Sequence, residues 1–241
     1  MGSFQQVIDQ TFPGSLPEAV FVERAYEALA PLGFTDEHTI ACVGLCRDEI
    51  SRPLVERVVG VWGEAFNFSS LAGMLFLGKT GFLAAQSHAP FFGGRQRHVY
   101  LVAPHIAIGE GGELGLCHRP GQTGPSHACG ALCGFLGELE SGRADAALDA
   151  DDLEQSLLKA RLMQHLEWGQ VPNLAELTLL TGKVILADLE RMIGLTVDIE
   201  TADYAVLSGV QIHGPKGAAL FWPGTHYAMV EGIRRSFRIP D

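Results

Sequence analysis

Cys46, His105 and Cys129 are the side chains in this sequence best suited to build a reactive centre. Two thiolates and one imidazole form a three-ligand set for zinc, with the fourth position open to water or substrate. The three lie far apart in the chain and meet no zinc-finger spacing, so spacing alone is weak support. Free cysteines are commonly small buried apolar residues, and types alone favour that plainer reading. Other sets compete. Cys42/Cys46 and Cys129/Cys133 are pairs four residues apart that could form a closed four-thiolate site, and His127 could replace His105. Cys129 with a nearby histidine also fits a hydrolase nucleophile. Asp48 stands two residues after Cys46, close enough to accept a hydrogen bond from water at a metal. Arg52, four residues beyond Asp48, could pair with it on a helix, and Arg47 is also near. A solvated charged turn is the plainer account of these three.

Gly73 to Thr80 reads GMLFLGKT and fits the G-x-x-x-x-G-K-[ST] phosphate loop; VILAD at 184–188 resembles its acidic partner strand. The context fails for both. The four intervening residues are large and apolar, no strand leads into them, and VILAD falls within a helical pattern.

The elements that would carry these residues alternate in type. Residues 15–32 predict a helix, with Ser15 and Glu18 at capping-box spacing and Phe21, Ala25, Ala28 and Leu29 on one face. HTIACVGL (38–45) predicts a buried strand ending at Cys46. Residues 52–64 predict a helix capped by Ser51. HVYLVA (98–103) predicts a second buried strand, ending at Pro104-His105. Residues 109–126 are loop-rich, and 127–140 predict a helix that begins beside Cys129. The helix dipole there should lower the Cys129 pKa. Helices follow from 151 and over 174–193, with strands near 204–212 and 218–222 and a helical tail after 226. The acidic stretch 141–152 reads as a loop within one domain. Strands alternating with helices predict an α/β fold with a mainly parallel central sheet flanked by helices. In such sheets the carboxyl ends of strands converge on a crevice, where groups distant in sequence can meet. His88 and His98 could line that crevice, but each reads more plainly as a surface or edge residue.

The chain has 241 residues, a formal net charge of −11 and 47% hydrophobic residues. That charge argues against a nucleic-acid partner, which needs concentrated Lys and Arg. Apolar runs are too short and interrupted to span a bilayer. The opening MGSFQQVIDQTFPG has no basic segment leading into an apolar run, so a cytoplasmic protein is expected. Five cysteines in a reducing compartment favour thiols or metal ligands over disulfides.

LCRDEISRPL (45–54), SLAGMLFLGKTGF (70–82), VAPHIAI (102–108), RPGQ (119–122) and SHACGAL (126–132) occur in an order that resembles the limiting-CO2-inducible B/C proteins, a β-carbonic-anhydrase-like group. The resemblance covers about residues 15–235 and gives GKTGF a place in that family's own pattern. It implies one β-carbonic-anhydrase-like domain over 1–241, with 1–14 as an N-terminal arm. It also implies zinc held by Cys46, His105 and Cys129, beside an Asp–Arg dyad containing Asp48. The β-class pattern places Arg at the position of Ile50, so Arg52 is the first substitute and Arg47 the second. The His-x-x-Cys pair of typical β enzymes is absent here, as fits this subgroup. The implied activity is reversible hydration of CO2 to bicarbonate by hydroxide at the zinc, with CO2 against an apolar wall that could include Phe82. The alternative is a catalytically silent zinc protein of the same fold that binds inorganic carbon or a partner. The resemblance further implies a homodimer.

Overall fold

The computed structural model describes residues 2–119 and 121–239, so Pro120 of the RPGQ stretch lies outside the described residues. In chain order the strands are β1 (Leu16–Pro17), β2 (Ile40–Gly44), β3 (Ala65–Asn67), β4 (Phe91–Phe92), β5 (Arg95–Val102), β6 (His105–Ala107), β7 (Leu116–Cys117), β8 (Ser126–His127), β9 (Ala202–His213), β10 (Ala219–Val230) and β11 (Ile233–Arg235). The helices are α1 (Phe4–Thr11), α2 (Glu18–Leu29), α3 (Arg52–Trp62), α4 (Gly78–Ser87), α5 (Gly130–Glu140), α6 (Leu153–Met163) and α7 (Leu174–Thr196).

The main sheet runs β1-β10-β9-β5-β2-β3. Pairings β3–β2, β2–β5, β5–β9 and β6–β9 are parallel; β10 and β1 extend the sheet antiparallel. The expected α/β architecture with a mainly parallel sheet is therefore present. Its strands read as unbroken apolar runs because both faces are covered. Along β5, Val99 and Leu101 face the side of α2 and α3, packing with Phe21, Leu54 and Trp62, while Tyr100 and Val102 face the side of α4 to α7, with Phe82, Phe135 and Ile185. The segment read as an N-terminal arm contains α1, whose Ile8 and following Phe12 are buried on the second side.

Four local expectations are corrected. Ser15 does not cap α2: its hydroxyl donates to Phe12 O, and Leu16–Pro17 pair with β10 before the helix begins. Ser51 precedes α3 without a side-chain cap bond. The tail after 226 is strand, because Glu231 and Gly232 both take positive φ (51° and 72°) and fold β10 back onto β11. His98 is neither at the surface nor at an edge. It lies fully buried on β5 between Ile40 and Tyr204, and burial lowers its pKa to about 4. The phosphate-loop match also resolves: α4 starts at Gly78 after a short 3-10 turn rather than a strand, and residues 184–188 lie inside α7.

One buried acid gives the fold a pH dependence. Glu18 is 2% exposed and accepts from Gln211 Nε2 at 2.8 Å. Burial raises its pKa, and the Gln211 bond and the Arg57 charge only partly offset this. Glu18 Oε2 and Gln211 Oε1 have no partner; a proton on the acid supplies the missing donor. The folded chain thus holds a proton that the unfolded chain releases near the ordinary value of about 4.3. Stability is full below that value and falls as pH rises toward the raised folded pKa. Glu18→Gln keeps a donor and an acceptor facing the amide, and should flatten this slope in urea unfolding measured from acid to mildly alkaline pH. An equal slope in both proteins would refute the assignment.

Candidate metal centre

The parallel register sets Gly44 of β2 beside Val102 of β5, so both strands end at the same edge. Cys46 follows two residues past β2. Beyond β5 the chain steps through Ala103-Pro104 into β6, whose first residue is His105. Gly73 presses on these strand ends: at φ +77° a Cβ would meet Ala103 O at 2.4 Å, so only glycine fits. Cys129 caps α5, directly after β8.

These strand ends and the helix start bring Cys46 Sγ, His105 and Cys129 Sγ together. Their ligand atoms lie within 4.8 Å of one another, and all three residues are buried. The sulfurs are 3.9 Å apart. The hydrogen bond with Cys129 pulls the Cys46 pKa well below the usual thiol range, aided by His105 and the Asp48 backbone amide and opposed by burial. Cys129 is raised rather than lowered. Its partnership with Cys46 and its burial outweigh the lowering by the Leu132 and Ala131 backbone N–H groups at the helix start, so the lowering expected from the helix dipole is not realised. Among the described residues no competing set of three or more ligand atoms comes together. Cys42 is buried in β2 with its pKa raised by burial, Cys133 is raised to about 11 by burial and Cys117, and His127 is exposed.

The donor set fits a zinc ion. His105 Nε2 is buried without a hydrogen-bond partner, although the ring is 0% exposed. A buried polar nitrogen left unpaired is costly, and coordination would satisfy it. The other ring nitrogen, Nδ1, lies 3.1 Å from His213 Nε2. His213 is held neutral, its pKa lowered to about 3 by burial and then by His105 and Arg119.

Asp48 Oδ2 sits 3.9 Å from His105 Nε2, at the edge of the three-residue group. Its guanidinium partner is Arg119, at 2.7 Å, not Arg52 or Arg47. Asp48 accepts from Ile50 N and opens a 3-10 turn over Glu49–Ser51. Arg52 therefore starts α3 on its outer face and pairs with Glu56 at 3.1 Å. Arg47 reaches Glu154 on α6 at 2.5 Å. Arg119 also donates through Nε to Glu49 (2.6 Å) and through Nη1 to Ser126 Oγ and His127 O. Burial alone would lower its pKa, but the Asp48 and Glu49 bonds overcome this and raise it, so it stays charged. Phe82 is buried against Phe68 and Tyr100, with ring centroids 4.8 and 6.1 Å apart.

Arg119 and His213 escaped the sequence reading. A signal existed for the first: Arg119 is the only Arg or Lys between Arg97 and Arg143 and stands in the loop that leads back to Cys129. None marked His213, which ends a long apolar strand. Among the described residues no helix is long and apolar enough to cross a membrane.

Residues 15–231 match the family model of the limiting CO2-inducible proteins B/C β-carbonic anhydrases. The crystal structure of limiting CO2-inducible protein LCIB shares 30% identity with a TM-score of 0.82, over 98% of this chain and 99% of that one. PtLCIB4, a homologue of LCIB, shares 22% identity with a TM-score of 0.81, over 95% and 96%. No curated relative matches. A family match over nearly the whole chain, and a 30% identical structure covered end to end, agree with the strand-end geometry: the chain belongs to the limiting CO2-inducible protein B/C family of β-carbonic-anhydrase-like proteins.

Proposed function

We propose that this protein binds one zinc ion through Cys46, His105 and Cys129 and catalyses the reversible hydration of CO2 to bicarbonate. The observation that carries the proposal is the convergence of two sulfurs and an unpaired buried imidazole nitrogen beside the Asp48–Arg119 pair. Bound zinc supplies Lewis acidity that brings the ionisation of water toward neutral pH. The chain supplies the rest. Asp48 accepts a hydrogen bond from the reacting water and orients it. Arg119 fixes Asp48, and Glu49, Ser126 and the His127 carbonyl fix Arg119. Tied to Arg119, Asp48 stands beside the ligand group rather than within it, which favours an open site.

Zinc content by mass spectrometry with stopped-flow CO2 hydration of the loaded protein tests the proposal. Zinc with a rate above buffer supports it. Zinc without such a rate would identify the silent relative, and a metal-free protein that stays metal-free overturns the reading. A zinc ion held by Cys129 also leaves no free thiol there for a hydrolase. Two anionic sulfurs leave less positive charge to acidify water than three neutral imidazoles would, so hydration should speed up between about pH 6.5 and 8.5. A flat rate across that range counts against ionisation of water as the controlling step. The reading extends to a cytoplasmic homodimer, for which sedimentation equilibrium tests the dimer.

A further inference from the structure

We propose that His213 positions His105 for metal binding, by accepting the His105 Nδ1 proton so that Nε2 faces the two sulfurs as a bare lone pair. The inference rests on the zinc reading only for what that lone pair binds. His213 closes β9 and His105 opens β6, two strands paired in parallel with His105 opposite Gln211. The two rings meet edge to face, with centroids 5.2 Å apart at 82°. The His213 backbone is held on both sides, by Ile108 N donating to its carbonyl at 2.9 Å and by its pairing with Ala219 of β10. The acceptor is therefore fixed in space rather than recruited.

A neutral imidazole carries one N–H, so two arrangements of His105 are available. With the proton on Nδ1, that nitrogen donates across 3.1 Å to His213, and Nε2 is free for a metal. With the proton on Nε2, that N–H points at the sulfurs and toward Asp48 Oδ2 3.9 Å away, in the space a metal would fill, and a metal must displace the proton. Metal-ligating histidines give their second N–H to a carboxylate, a backbone carbonyl or water, which sets the tautomer. Here the acceptor is another imidazole, and charge explains the choice. Two thiolates already cancel the charge of a divalent ion, and Arg119 cancels Asp48. A carboxylate at position 213 would add an uncompensated buried charge; a neutral imidazole orients the ligand without one.

Ring-nitrogen NMR of 15N-histidine-labelled apoprotein, combined with zinc affinity by chelator competition, tests the proposal. His105 should carry its proton on Nδ1 in the wild type and shift toward Nε2 in His213→Phe, which fills the space without an acceptor. Zinc affinity should fall roughly 10- to 100-fold in His213→Phe and His213→Ala. His213→Gln, whose amide oxygen can accept, should recover most of it. Wild-type affinity in His213→Phe, or a wild-type proton on Nε2, overturns the inference. A wild type that binds no zinc yet shows the Nδ1 proton and its shift in His213→Phe would sink the zinc reading and leave the positioning role standing.

Discussion

Cys46→Ser is expected to leave a folded protein that no longer retains zinc through dialysis and no longer hydrates CO2 above the buffer rate. Cys46 and Cys129 share a hydrogen bond across 3.9 Å, which makes it easier for one sulfur of the pair to lose its proton. A serine hydroxyl at that point stays protonated at neutral pH and is a poor zinc ligand. Closed four-ligand zinc sites bind with about 10–16 kcal/mol, roughly 3 kcal/mol per ligand, so losing one of only three protein ligands should cost at least about 100-fold in affinity. Two readouts separate metal loss from unfolding. Zinc added to the wild type should raise its melting temperature by mass action, and that rise should vanish in the variant. Cys133→Ser, outside the ligand group and half-buried, should keep both metal and activity. Loss of zinc in Cys133→Ser would point back to the four-thiolate arrangement.

Arg119→Ala should show the opposite pattern, with zinc kept and turnover lost. Asp48 and Arg119 are largely shielded, at 13% and 14% side-chain exposure. Removing the guanidinium leaves a carboxylate beside the metal position held only by the long bond from Ile50 N at 3.4 Å. Interactions that orient a reacting group typically carry about 10²- to 10³-fold in rate, and a drop of that order in kcat/KM is expected. Arg119→Lys should recover little of it. The guanidinium divides its nitrogens among Asp48, Glu49, Ser126 and the His127 carbonyl, and an ammonium cannot reproduce that fork. Arg52→Ala provides the contrast. Its exposed pair with Glu56 is worth about 0.3–0.5 kcal/mol of stability and should not affect the rate. Equal damage from Arg52→Ala and Arg119→Ala would remove Arg119 from its assigned role.

The contrast between these two arginines shows where the sequence was informative. Cys46 and His105 are legible as candidates because strand ends are: apolar runs stop at 45 and 103, and parallel strands bring their ends together. Cys129 was found because the helical pattern begins beside it. Spacing favours Arg52 because pairing across a helical turn is the geometry that short sequence separation expresses. The actual partner comes from a loop 71 positions away, whose path depends on turns around Gly112, Gly115 and Gly121 rather than on periodicity. His213 was hidden for a related reason, since strand pairing, not local pattern, sets it beside His105. His98 was misjudged because a polar ring early in a strand suggests an edge, whereas β5 has neighbours on both sides. The tail after 226 failed for want of an obvious break, since the Glu231-Gly232 turn is a modest signal.

The register that unites Cys46 with His105 also dictates the order of assembly. No donor pair of the ligand group is close along the chain, so a metal held by all three would be captured tightly only after the sheet has closed. Before closure, the nascent polypeptide instead presents Cys42 with Cys46 and Cys129 with Cys133, each a ready two-sulfur chelate. An ion trapped by the first of these would keep Cys42 out of the strand interior it must enter. If the proposed metal is bound, Cys42 and Cys133, which lie outside the ligand group, would thus compete for it until the strands have paired.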